Sequence, residues 1–168
     1  MSSFSTPTPT SPIVTAAAAG ESAWPAFTSH LDDDVVIAAV SLVRLSDLCG
    51  TPCVHTADAH TPHTAHDDHH LGDHPVSVVI ARVLSSELRG DLLLHVTLDA
   101  DLTGCQPALE AARVIARAPG AFLTAAVVDG PTGSEAAMAC QLPADLRAGD
   151  VIVIPCHGAA RLHDVRRH

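Results

Sequence analysis

The apolar residues of this chain fall into short runs, and that shortness constrains the fold more than any other feature. The runs are DVVIAAVSLVRL (34–45), VSVVIARVL (76–84), DLLLHVTLD (91–99), AFLTAAVVD (121–129) and DVIVIP (150–155). Their Val and Ile content favours strands, although the length of the first leaves a helix open. SSELRG joins the second and third runs around Gly90, and GPTGS joins AFLTAAVVD to EAAMACQL (135–142). Both arrangements predict hairpins. QPALEAARVIARAPG predicts a helix instead. Pro107 suits its first turn and Gly120 its C-cap, and Ala108, Ala111, Ala112, Ile115 and Ala118 form an apolar stripe. Hairpins with one interposed helix predict an α+β, β-rich fold: a small closed or half-closed antiparallel β-barrel.

At 168 residues there is room for one domain with tails. Residues 1–30, opening on a Ser/Thr/Pro stretch, are expected to form a disordered tail, with Trp24 and Phe27 anchoring its end. Residues 31–165 are expected to form the domain, with a His/Asp-rich insertion at 46–75. The net charge of −10 is concentrated there, because residues 31–75 carry eight aspartates against Arg44 alone. All nine basic side chains are arginine.

The insertion poses the chemical question. Cys53 to His74 holds seven histidines and four aspartates. Thr61 can cap a short helix, with Pro62 in its first turn and Gly72 past its end. At helical spacing His63, His66, Asp67 and His70 share one face. Three imidazoles and a carboxylate suit Zn2+ or another divalent transition metal. Upstream, Cys49, Cys53 and His55, followed by His60 and His63, approach a Cys2His2 set. These readings predict a non-enzymatic binding or structural protein whose loop takes up a metal. Adventitious metal uptake, or a plain solvated insertion, accounts for the same composition.

VIARVLSSELRGDLLLHVTLDA and LRAGDVIVIPCHGAARLHD resemble the first hairpin and the late Gly-Asp turn of bacterial single-stranded-DNA-binding proteins. The resemblance spans about 76–165 and implies an OB-like topology. It also implies an alternative function, a single-stranded nucleic-acid-binding accessory protein of a plasmid or phage, with Arg82, Arg89, Arg147 and Arg161 as candidate phosphate ligands. Against that, the barrel region offers only Phe122 for base stacking. A virion or assembly component, as a homo-oligomer or with a protein partner, is a further alternative.

No sequence motif names a reaction. Cys105, Cys140 and Cys156 read as small buried hydrophobes. No apolar run approaches the ~20 residues needed to span a bilayer. Five cysteines without a dense framework point to a reducing compartment, cytoplasm or virion interior.

Overall fold

The structure is a computed structural model and describes residues 23–58, 75–118, 120–130 and 138–166. Residues 1–22 of the expected tail lie outside these.

The first apolar run, read as one strand, is broken twice. Strands β1 (Thr28–His30), β2 (Val35–Ile37) and β3 (Val40–Ser41) form a small antiparallel sheet in that order. Ile37 pairs with Val40, so Ala38 and Ala39 are a two-residue turn. Their φ angles are 48° and 68°, the positive values a tight hairpin requires. Ser41 then caps helix α1 (Leu42–Cys49), its Oγ accepting the Arg44 amide at 3.2 Å. Asp34 ties hairpin to helix: its carboxylate accepts the Val35 amide at 2.7 Å, the Ser41 hydroxyl at 2.6 Å and the Val43 amide at 3.1 Å.

The larger sheet has eight strands. They are β4 (Cys53–Asp58), β5 (Pro75–Leu88), β6 (Leu94–Leu98), β7 (Gln106–Pro107), β8 (Arg113–Ile115), β9 (Leu123–Asp129), β10 (Met138–Pro143) and β11 (Val151–His157). The order is β10-β9-β6-β5-β11-β7, with β4 also on β5 and β8 also on β11. Every pairing is antiparallel except β6 with β9. β5 pairs with β4 and β11 through its first half and with β6 through its second, and the register shifts between Val83 and Ser85. An irregularity of this kind bends a strand, and the sheet curls into a half-barrel. The fold is thus β-rich α+β.

The expected helix over 107–119 does not form. The segment instead supplies β7, a single 3-10 turn at Leu109–Ala111, and β8. Val114 and Ile115 are buried, and Val114 pairs with Ile152 and Ile115 with Val151. Pairing to a buried strand outweighs the modest helix preference of Ala and Arg, which is worth tenths of a kcal/mol per residue.

Two cores lie on opposite faces of the β5–β11 pair. Val79, Ala81 and Val83 of β5 join Ile152, Ile154 and Cys156 of β11 inside the half-barrel, with Leu94, Val96, Leu98, Ala126, Val128 and Leu142. On the other face Val78, Ile80, Val151 and Val153 pack against Trp24, Val35, Ile37, Leu42 and Cys53. Trp24 is 4% exposed, so the end of the expected tail is part of this second core, while Phe27 is 83% exposed. After β11 the chain folds back. The buried Ser77 hydroxyl accepts the Ala160 amide at 2.8 Å and meets the Thr56 hydroxyl at 3.0 Å. This seats the closing helix α2 (Leu162–Val165) beside the end of β11.

The Ala38–Ala39 turn yields a test. An L-residue in the left-handed region costs roughly 1–2 kcal/mol, and both alanines are exposed. Replacing them together, Ala38→Asn with Ala39→Gly, should stabilise the fold by about 1 kcal/mol. A thermal melt should show a higher midpoint; an unchanged or lower one would refute the turn assignment.

Candidate functional site

His60, His63, His66, Asp67 and His70 lie outside the described residues. Of the upstream set, Cys49 is exposed at the end of α1, whereas Cys53 is buried at the start of β4. Burial, with Cys49 nearby, pushes the Cys53 thiol up to about 11, which disfavours the thiolate a metal needs. His55 lies on the same strand, its Nε2 buried and without a hydrogen-bond partner, and burial lowers its pKa. Among the described residues no three His, Cys, Asp or Glu side chains are grouped to hold a metal ion.

The four arginines occupy separate places. Arg82 pairs opposite Val151 at the start of β11 and donates to the Gly149 carbonyl at 3.1 Å. Arg147 lies nearby, 3.8 Å from Asp150. Arg161 follows the far end of β11, some six strand residues or roughly 20 Å away. Arg89 sits in the β5–β6 turn, where its amide donates to Leu93.

The densest charge cluster among the described residues is a brace that fixes the turn before β11. Arg117 clamps Asp150 with two hydrogen bonds, 3.0 Å from Nε and 2.6 Å from a terminal nitrogen, and reaches Asp145 at 3.0 Å. Asp145 also accepts the Gly120 amide at 3.0 Å, and Asp150 the Arg147 amide at 3.0 Å. Burial alone would raise the Asp150 carboxyl, but the Arg117 and Arg147 hydrogen bonds override it and hold it below the usual carboxylate range. The Gly120 amide and then Arg117 lower Asp145 likewise. With every partner satisfied within the cluster, the arrangement is structural.

A reactive arrangement occurs at the opposite end of β11. Cys156 is fully buried and points into the half-barrel core. β7 runs beside it, Pro107 opposite Cys156 and Gln106 opposite His157. Cys105 immediately precedes β7, two residues before Pro107, and packs against the core that holds Cys156. The two thiols are close enough for each to shift the other's pKa, and the Cys156 thiol donates its proton to the Ile154 carbonyl at 3.8 Å.

The turn carrying Cys105 is held on all sides. The buried Asp101 carboxylate accepts the Thr103 amide at 3.0 Å and its hydroxyl at 2.6 Å. The Cys105 amide and thiol both donate to the Leu102 carbonyl, at 3.2 and 3.3 Å. Ala108 donates to Pro155 at 2.8 Å, and Asp101 to Val165 of α2 at 3.0 Å. A Cβ on Gly104 would stand 2.7 Å from the Asp164 carbonyl oxygen, so only glycine lets this turn lie flat on α2.

The sulfurs are unequal. The neighbouring Cys156 thiol lowers the Cys105 pKa against the opposing effects of burial and of Asp101 and Asp164. The Cys105 thiol, then burial, raises that of Cys156 well above the ordinary thiol range. Cys105 is half-buried and reachable, whereas Cys156 is not. Read singly, each cysteine is a small core residue; only the β7–β11 register reveals the pair.

No protein-family model and no curated protein matches the chain. Two solved structures of the Paramecium bursaria Chlorella virus arginine decarboxylase, one bound to agmatine, are similar to it at 20% identity and a TM-score of 0.40. The match covers 49% of this chain and 25% of that one, so the chain aligns with about a quarter of the enzyme's length. The expectation of a binding or structural protein whose loop takes up a metal is corrected to this extent: among the described residues no His, Cys, Asp or Glu set is grouped to hold a metal ion. No described helix is long and apolar enough to cross a membrane.

The Arg117 brace makes a pH prediction. Folding depresses both carboxyls, so their contribution is fully present above the unfolded carboxylate range and is lost as pH falls through the lowered values. Melting temperature should fall steeply below about pH 4. Asp150→Asn should flatten that acid limb and cost about 1–3 kcal/mol at neutral pH. An acid limb identical in the variant would contradict the brace.

Proposed function

We propose that the protein is a redox-active dithiol protein in which Cys105 and Cys156 interconvert between two thiols and one disulfide. The observation that carries this reading is the placement of the two thiols: Cys156 pairs with Pro107 in the β7–β11 register, and Cys105, two residues before Pro107, packs against the core that holds Cys156. Cys105, the reachable thiol whose neighbour favours its thiolate, is the nucleophile. Cys156, buried and protonated, resolves the intermediate. Oxidation removes two electrons and two protons to an oxidant, and a thiol reductant restores the pair by exchange. Closing the bond draws the sulfurs to about 2.05 Å. Cys105 makes that approach by rotating its side chain, which gives up the thiol's hydrogen bond to Leu102, because Cys156 is fixed in the central strand.

The other thiols are placed for contrast. Burial pushes Cys53 and Cys140 up to about 11, keeping both protonated. Cys49 is exposed and serves as an internal control.

Mild oxidation of the native protein, followed by quenching and peptide mapping without reductant, tests the reading. The expected product is one intramolecular disulfide joining the Cys105 and Cys156 peptides, reversed by a thiol reductant. Cys105→Ser should abolish it, and Cys49→Ser should leave it intact. Links only through Cys49, or the same oxidation in Cys105→Ser, would overturn the proposal.

A further inference from the structure

The immediate surroundings of the dithiol select among oxidants. The charges that act on the Cys105 sulfur come from Asp101 and Asp164, both carboxylates. Asp101 is buried at the base of the Cys105 turn, and Asp164 is part-buried on α2, which closes over that turn. His163 meets Asp164 at 3.1 Å from the exposed side, and the Asp164 carboxylate also accepts the Arg161 amide at 2.7 Å. The chain as a whole carries −10. An anion approaching Cys105 therefore meets both a local and a global negative field, whereas a neutral molecule meets neither. Space works in the same direction, because Cys105 is half-buried.

Resting on the dithiol reading above, we propose that the oxidant of this pair is a small uncharged hydroperoxide, and that anionic disulfides of the glutathione type are selected against. The chemistry balances without another reactant. The Cys105 thiolate attacks one peroxide oxygen, the O–O bond breaks, and hydroxide or alkoxide leaves, giving a sulfenic acid. The Cys156 sulfur then attacks the Cys105 sulfur. The S–S bond forms, the S–O bond breaks, and the Cys156 proton leaves with the hydroxyl as water. The dithiol loses two electrons and the peroxide gains them.

The test treats the reduced full chain with hydrogen peroxide, oxidised glutathione, neutral hydroxyethyl disulfide or cationic cystamine. The rate of Cys105–Cys156 disulfide formation is read by quenched mass spectrometry and normalised to an uncharged model thiol. Hydrogen peroxide should form the disulfide. At low salt cystamine should exceed oxidised glutathione by about tenfold or more, with the neutral reagent between them. Added salt should compress the series, and Asp101→Asn with Asp164→Asn should compress it at low salt. Equal normalised rates for the anionic and cationic reagents would overturn the oxidant selection and leave the dithiol standing. Absence of the Cys105–Cys156 disulfide with every reagent would overturn both.

Discussion

The structure depends on one pair of neighbouring strands, β5 and β11, buried on both faces. Odd and even side chains of Val151–Cys156 enter different cores, and Val78–Ala81 on β5 do the same. An alternating strand can leave one face to solvent; this pair cannot, so both runs are nearly continuous hydrophobes. Truncating a fully buried member such as Ile154 opens a cavity, typically costing 2–5 kcal/mol. The remaining elements attach to this wall. The β1–β3 sheet and α1 cover one face. The half-barrel made by the bend in β5 covers the other.

The wall also sets the chemistry. Its last buried residue is Cys156, and the next, His157, is exposed. The chain therefore passes from core to surface at a sulfur. β7, the turn through Gly104 and α2 are assembled at that boundary by hydrogen bonds to Pro155, Ser77 and Val165. One sulfur ends up fixed in the core and the other on its rim. The Arg117 brace anchors the opposite end of β11 through Asp150, so the strand is pinned at one end where it is reactive at the other.

Much of the strand content is legible in the sequence because Val and Ile runs need no context to favour extended backbone. The strands of the expected 76–98 and 121–143 hairpins pair antiparallel. Two elements were not legible. Over 34–45, strand propensity was overridden by the left-handed Ala38–Ala39 turn and by Ser41, whose capping role depends on Asp34 arriving from β2. Over 107–119, alanine periodicity suggested a helix, but the partner that made it extended, β11, lies far along the chain. The dithiol was hidden for the same reason. Cys105 and Cys156 have no local signature, and only strand register brings them together. The histidines that dominate the sequence draw attention by composition, which does not specify how side chains are arranged.

The most direct test is the separation of two atoms, the sulfurs of Cys105 and Cys156, in a crystal structure of the fully reduced protein. They should be in direct contact across the β7–β11 edge, with the Asp101–Cys105 turn lying on α2. A Cys105 side chain turned to solvent, leaving Cys156 alone in the core, would contradict it.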